Sequence, residues 1–379
     1  MRYKEKLLLP LFFILAICFA LPAVAQDKPD LKLGGALRFN YNYSDWKPSN
    51  RKRGGDFGFD VFRLNVDAAY KKLTLAAEYR FYASSSGGGM LKSGWVGYQF
   101  NDMHQLQVGL APVPFGIQPY TSNSYFFNIN YYLGLEDDSD MGIKYLYRKG
   151  GWEMAFAFFK NADVLDFGDQ SEVSPDRYAY DVAGRNKEVN QGNAQVIYHW
   201  GKKWKQQIGG SAMYGGLYNL DTEKMGARSA FALHYMLDVN RWNLKAQYTN
   251  YQMRPKNLEG EDRRTVSVAA YGAPYQIAAK ASTYSATLSY TIPIYKGVLD
   301  EIRLYNDFSM MDKRDKEFND SYQNVTGCML SMGSVYTYVD YAMGKNHSWL
   351  GSDWDNAFAD GIASNHWNVR FNINIGYYF

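Results

Sequence analysis

The chain has 379 residues, with 41 lysines and arginines against 38 aspartates and glutamates, a formal net charge of +3. Aromatic residues make up 17% of it, yet the mean hydropathy is −0.42. So small a net charge leaves no basis for nucleic-acid binding, and the one basic run, Arg51-Lys52-Arg53, is short. Past residue 25 no stretch approaches the ~18 consecutive apolar residues of a membrane-spanning helix.

Residues 1–25 read as a secretory signal. Arg2, Lys4 and Lys6 precede the apolar run 7–21, and Ala23-Val24-Ala25 supplies a small-x-small cleavage pattern, so Ala25 is the expected last residue removed. Only Cys328 then remains, which rules out an internal disulfide. Residues 26–379 are expected to form one domain.

From residue 31 onward the chain breaks into short alternating runs. In 31–43, Leu31, Leu33, Leu37, Phe39 and Tyr41 oppose Lys32, Arg38, Asn40 and Asn42. A strand sends successive side chains to opposite faces, so each run has an apolar and a polar face. Further strands are predicted at 62–70, 73–81, 95–100, 105–110, 141–148, 152–160, 194–200, 208–218, 230–238, 242–253, 284–292, 302–310, 326–331 and 335–341. A short additional strand is predicted at 266–271. The connections alternate between tight turns, such as Lys71-Lys72 and Gly333-Ser334, and long loops.

The final run, 367–379, places Trp367, Val369, Phe371, Ile373, Ile375, Tyr377 and Phe379 on one face, and Asn368, Arg370, Asn372 and Asn374 on the other. Its length matches a membrane-crossing strand of roughly 9–11 residues. The reading is all-β: a transmembrane antiparallel barrel of about sixteen strands, with short turns on the periplasmic side and long loops outside. The last strand closes it, and Phe379 is expected to be read by the outer-membrane assembly machinery.

If the apolar parity meets lipid, the other parity faces the lumen. That places Arg38, Arg63, Arg80, Lys144, Lys245, Arg303 and Arg370 inside, with Asp67, Glu78 and Asp307. Arg80 shares a strand face with Glu78, Arg63 with Asp67, and Arg303 with Asp307. A lumen in which bases outnumber acids attracts anions, and arginine offers a two-pronged donor to phosphate or carboxylate. The segment 112–139 is too long and too aromatic for an idle loop. It is expected to fold inward and narrow the lumen through Phe115, Tyr120, Tyr125, Phe126 and Tyr131. Its acidic tail, Glu136-Asp137-Asp138-Ser139-Asp140, would oppose the wall bases. It lacks the calcium-loop pattern, and no metal or cofactor is expected.

Three classes of function compete. The first is a channel for passive diffusion of small anions or solutes, phosphate among them. The second is a barrel enzyme of phospholipase or protease type. His104, His199, His234, His347 and His366 lack a Ser or Asp companion at a diagnostic spacing, so no catalytic residue is assigned. The third is a plugged structural or adhesive barrel.

The leader, the run Val61-Phe62-Arg63-Leu64, Val113-Pro114-Phe115-Gly116, Asp140-Met141-Gly142-Ile143, Gly344-Lys345-Asn346 and the closing Phe379 together resemble the phosphate-selective porin O and P family, in the form common among Bacteroidetes. The resemblance spans nearly the whole mature chain. It implies a sixteen-stranded porin in the outer membrane of a Gram-negative bacterium, a homotrimer surrounded by outer-membrane lipid, with a narrow anion-favouring lumen.

Overall fold

The computed structural model describes residues 29–163 and 173–379. The expected signal at 1–25 lies outside the described residues. The strands are β1 (Asp30–Ser44), β2 (Asp56–Tyr70), β3 (Leu73–Phe81), β4 (Gly89–Asn101), β5 (His104–Pro112), β6 (Ser139–Lys149), β7 (Trp152–Asn161), β8 (Asp181–Val182), β9 (Asn186–Trp200) and β10 (Trp204–Asn219). They continue as β11 (Met225–Val239), β12 (Trp242–Arg254), β13 (Thr265–Ala270), β14 (Ala273–Ala278), β15 (Lys280–Lys296), β16 (Leu299–Lys313), β17 (Ser321–Met332), β18 (Val335–Lys345) and β19 (Asn368–Tyr378). All except β8, β13 and β14 form one closed antiparallel barrel of sixteen strands. Closure leaves no unpaired strand edge, the condition for a sheet to sit in hydrocarbon.

The seam joins β1 to β19, from Ala36 opposite Tyr378 to Ser44 opposite Arg370. Beyond that register, Gly35 N–H donates to the Phe379 carbonyl at 2.9 Å and Phe379 N–H to the Gly35 carbonyl at 3.2 Å. The apolar parity faces outward: Leu33, Ile208 and Leu233 are each more than half exposed. The opposite parity is enclosed, as Asn372 and Asn374 are on β19 and Thr283, Ser285 and Thr287 on β15.

The expected run at 266–271 is a strand, β13, but not one of the wall. It pairs with β14 and β8 in a separate three-stranded sheet. That sheet, the 113–138 segment and the connection between β18 and β19 share one apolar core. Tyr131, Tyr132, Tyr180, Val268, Tyr275, Ile277 and Phe358 pack there against wall residues Met213, Leu217 and Met311. Short helices interrupt two connections. α1 (Pro48–Arg53) carries the basic run, and α2 (Ile129–Tyr132) forms one turn inside the 113–138 segment. Asn128 caps α2, accepting the Asn130 N–H at 2.8 Å.

β2 begins earlier than the predicted 62–70. A bulge opposite Arg38 and Phe39 shifts the register, pairing Arg38 with Val61 and Phe39 with Phe59. Asp60, the extra residue, turns inward (Oδ2 lies 3.0 Å from Arg38 Nε), and the alternation restarts beyond it.

Candidate functional site

The 113–138 segment lies against the inward face of the wall from β9 round to β18. Ser211 on β10 accepts the Gly116 N–H at 3.0 Å, and Gln247 on β12 accepts the Ile117 N–H at 2.7 Å. Asp307 on β16 accepts the amides of Asn123 and Ser124, both at 2.8 Å. Gln323 on β17 donates to the Phe127 carbonyl at 2.6 Å. Asp340 on β18 accepts the Tyr125 N–H at 3.3 Å. Deeper, Arg228 on β11 ion-pairs with Glu188 and donates to the Gly134 carbonyl at 2.8 Å, while Arg177 pairs with Asp181 at 2.8 Å. The segment is therefore anchored by wall side chains that answer its backbone groups, which a segment lying over the mouth would leave to water.

This anchoring leaves the opposite side of the lumen open. A cavity of about 1140 Å³ lies between the aromatic edge of the segment and the wall of β1–β4, β18 and β19. Seven basic side chains line it against three acidic ones: Arg38, Lys47, Arg53, Arg63, Arg80, Lys92 and Arg370 against Asp56, Asp60 and Asp137. Eleven tyrosines also line it, among them Tyr82, Tyr120, Tyr125, Tyr178, Tyr338 and Tyr378.

Rings and cations are paired across this space. The Arg38 guanidinium lies 5.7 Å from the centre of the Tyr125 ring, Arg63 5.2 Å from Tyr378, and Arg80 4.2 Å from Tyr178. Each pairing sets a cation against the electron-rich face of a ring. Burial pushes the Tyr125 and Tyr178 phenols well above their usual range, so they remain neutral partners.

The seven expected lumen bases divide into two groups. Arg38, Arg63, Arg80 and Arg370 converge on the cavity. Lys144, Lys245 and Arg303 are not among the residues lining it, and Lys144 donates to the Pro112 carbonyl at 2.8 Å. Two of the residues that share a strand face with an acid pair with a different one. Arg63 lies 3.9 Å from Glu78 rather than against Asp67, sharing that carboxylate with Arg80 at 2.6 Å. Arg303 pairs with Glu301 at 3.2 Å, while Asp307 accepts from the inner segment. Of the five aromatic residues named for that segment, Tyr120, Tyr125, Phe126 and Tyr131 line the cavity, whereas Phe115 is buried in the core behind it.

The acidic tail does not act as one cluster. Asp137 faces the cavity and pairs with Lys92 at 2.9 Å. Glu136 turns away, and its Oε2 accepts from Asn128 Nδ2 at 2.6 Å and from Thr121 Oγ1 at 2.9 Å. Burial nevertheless raises the Glu136 carboxyl to about 7. Sequence reasoning missed Asp60, Lys92, Tyr178 and Tyr271. Asp60 falls at the bulge. Tyr131, Tyr178 and Tyr271 are far apart in sequence and meet only in the fold, where the Tyr131 and Tyr271 hydroxyls are 2.5 Å apart.

No protein-family model matches the chain, and no curated protein sequence matches it. Its likeness is to solved barrels. OmpT, an outer membrane protein of Vibrio cholerae in its trimer form, is 15% identical, with a TM-score of 0.58 over 93% of this chain and 100% of the other. An anion-selective porin from Comamonas acidovorans is 13% identical, with a TM-score of 0.60 over 93% and 100%. The outer membrane channel DcaP of Acinetobacter baumannii is 11% identical, with a TM-score of 0.59 over 95% and 99%. The chain thus has the fold of outer-membrane porin barrels.

Proposed function

We propose that this chain is an outer-membrane channel of a Gram-negative bacterium, passing small anionic solutes through the cavity beside its inner segment. The observation that carries this reading is the cavity lining, where seven bases face three acids on a wall that is otherwise neutral and aromatic. Confinement between low-dielectric walls strengthens the field of those bases on a passing ion. The porin fold and the printed descriptions of the Comamonas and Acinetobacter barrels support it. The trimer form of the Vibrio barrel supports a trimeric assembly. Phosphate remains a candidate permeant through the sequence resemblance to phosphate-selective porins.

Two of the histidines are engaged by neighbouring groups of the fold. His347 Nδ1 accepts the backbone N–H groups of Trp349 and Leu350, and His234 contacts Gln207 at 3.0 Å. The amount of interior filled by the inner segment and the inner sheet favours a second reading, a plugged barrel. Planar-bilayer recording of the purified protein separates the two. Conductance steps are expected, with a reversal potential in a salt gradient that reports anion preference and with phosphate competing. Absence of steps would establish the plug, and cation preference would overturn the anion reading.

A further inference from the structure

Beside the main cavity lies a second space of about 490 Å³, lined by Trp46, Trp349, Trp354, Lys47 and Arg370. Lys47, Ser49, Trp349 and Arg370 line both, so the two spaces adjoin. Trp349 and Trp354 meet with ring centres 5.0 Å apart at 65°, which makes a corner of two indoles.

Arg370 forms the floor between the two spaces. Its guanidinium lies 4.9 Å from the centre of the Trp46 ring, and its Nε donates to Ser44 Oγ at 3.0 Å. The other wall cations of the cavity have carboxylates: Arg38 has Asp60, Arg63 and Arg80 share Glu78, and Lys92 has Asp137. Among the described residues, no carboxylate lies within ion-pair distance of Arg370, and its Nε is met by the neutral hydroxyl of Ser44. An enclosed cation without a counter-charge is costly, and an incoming anionic group would supply the missing partner.

We propose that this Arg370 vestibule binds an acidic carbohydrate, a pyranose ring that bears a carboxylate. The carboxylate takes the free edge of Arg370 in a charge-assisted hydrogen bond. The C–H face of the ring lies on the indoles, whose electron-rich faces suit it. Its hydroxyls reach the polar row of Asn40, Asn42, Ser44 and Ser49 along the same route. A bare inorganic anion would use Arg370 but none of the indoles. A neutral sugar would leave the guanidinium unpaired, and an aromatic acid would leave the polar row unanswered. The inference rests on the channel reading for how solute arrives and departs, but binding itself is measured without it.

Isothermal titration calorimetry on the folded, detergent-purified full chain tests this with four probes: digalacturonate, cellobiose, inorganic phosphate and benzoate. Digalacturonate is expected to bind roughly tenfold tighter than each of the others. Arg370→Gln should bring it down to the level of cellobiose, and Trp46→Ala should weaken both sugars. Folding of each variant is checked by its heat-modifiable gel mobility, and Arg370→Lys provides a second variant that keeps charge but loses the planar fork. Phosphate or benzoate binding as tightly as digalacturonate would overturn the inference, as would an Arg370→Gln variant with unchanged affinity. Conductance in potassium chloride is recorded in parallel. Conductance without sugar preference defeats this inference alone, whereas sugar binding without conductance upholds it and defeats the channel reading.

Discussion

Asp307 on the wall strand β16 holds Asn123 of the inner segment, accepting its backbone N–H at 2.8 Å and its side-chain amide at 3.0 Å. The same carboxylate takes the Ser124 N–H at 2.8 Å. One wall side chain therefore satisfies three donors of the inner segment at the point where it borders the cavity. Asp307→Ala would leave two backbone N–H groups without their partner, at a cost of about 2–4 kcal/mol to the docked segment. We expect larger and noisier single-channel currents from this variant, with the barrel still folded. Unchanged conductance would mean that the segment is held elsewhere.

Charge removal on the cavity wall should alter selectivity more than it alters folding. In the double variant Arg63→Ala, Arg370→Ala, the anion-to-cation permeability ratio is expected to fall by a factor on the order of two to ten. Lys52→Ala on the exposed α1 should leave the ratio unchanged, since a solvated charge at that distance is screened. Reversal potentials in a salt gradient measure both.

Glu136 makes the inner segment sensitive to pH. Burial is the larger influence on its carboxyl, raising it from 4.5 to about 7 against the opposing hydrogen bonds from Asn128 and Thr121, with Asp137 adding to the rise. The docked segment thus holds a proton that the released segment gives up at lower pH. Stability is full below about pH 4.5, falls as pH rises towards 7 and levels off above it, with a total on the order of 3 kcal/mol. Hydrogen exchange over residues 113–138, corrected for intrinsic rates, should show less protection at pH 8 than at pH 5. Glu136→Gln should reduce the difference, the remainder coming from Asp138, which burial beside Asp181 raises to about 8. Equal protection of the wild-type segment at both values would exclude this role.

The seam can be tested at one glycine. A Cβ on Gly35 would come within 2.5 Å of the Arg63 carbonyl oxygen and 2.6 Å of the Phe379 ring. Gly35→Val should therefore reduce the yield of folded, heat-modifiable barrel several-fold, on the order of 2 kcal/mol of overpacking. Gly58→Val, where a Cβ meets nothing within 4 Å, is the matched control. Equal yields from the two would show that Phe379 moves aside readily.

Much of the barrel was legible because one rule governs it. Where lipid meets one face and the lumen the other, alternation is strict, and β3 was bounded at Leu73 and Phe81 from the pattern alone. The pattern fails where the backbone adds a residue. The bulge at Asp60 places two inward residues in succession, so the start of β2 was lost and with it the partner of Arg38. Periodicity also does not say which sheet a strand joins. Val266, Val268 and Ala270 alternate as a wall strand would, yet they face the inner core. Arg63 and Arg370 belong to the inward parity and line the cavity. That parity gave no sign that the inner segment would occupy Asp307, since that depends on a loop whose path no local pattern encodes.

The inner segment rests on one stretch of wall and leaves another bare, so the circumference is divided between two tasks. Wall strands from the middle of the chain, β9, β10, β12, β16 and β17, act as a foundation, each giving an inward side chain to hold the segment. The bare stretch belongs to the two chain ends, β1–β4 and β19, with Tyr336 and Tyr338 of β18 beside them. Substitutions in the middle of the sequence must respect a fitted partner, whereas those near the ends face open space. A new solute preference is therefore most readily acquired through the first seventy or so described residues and the last dozen, without rebuilding the rest.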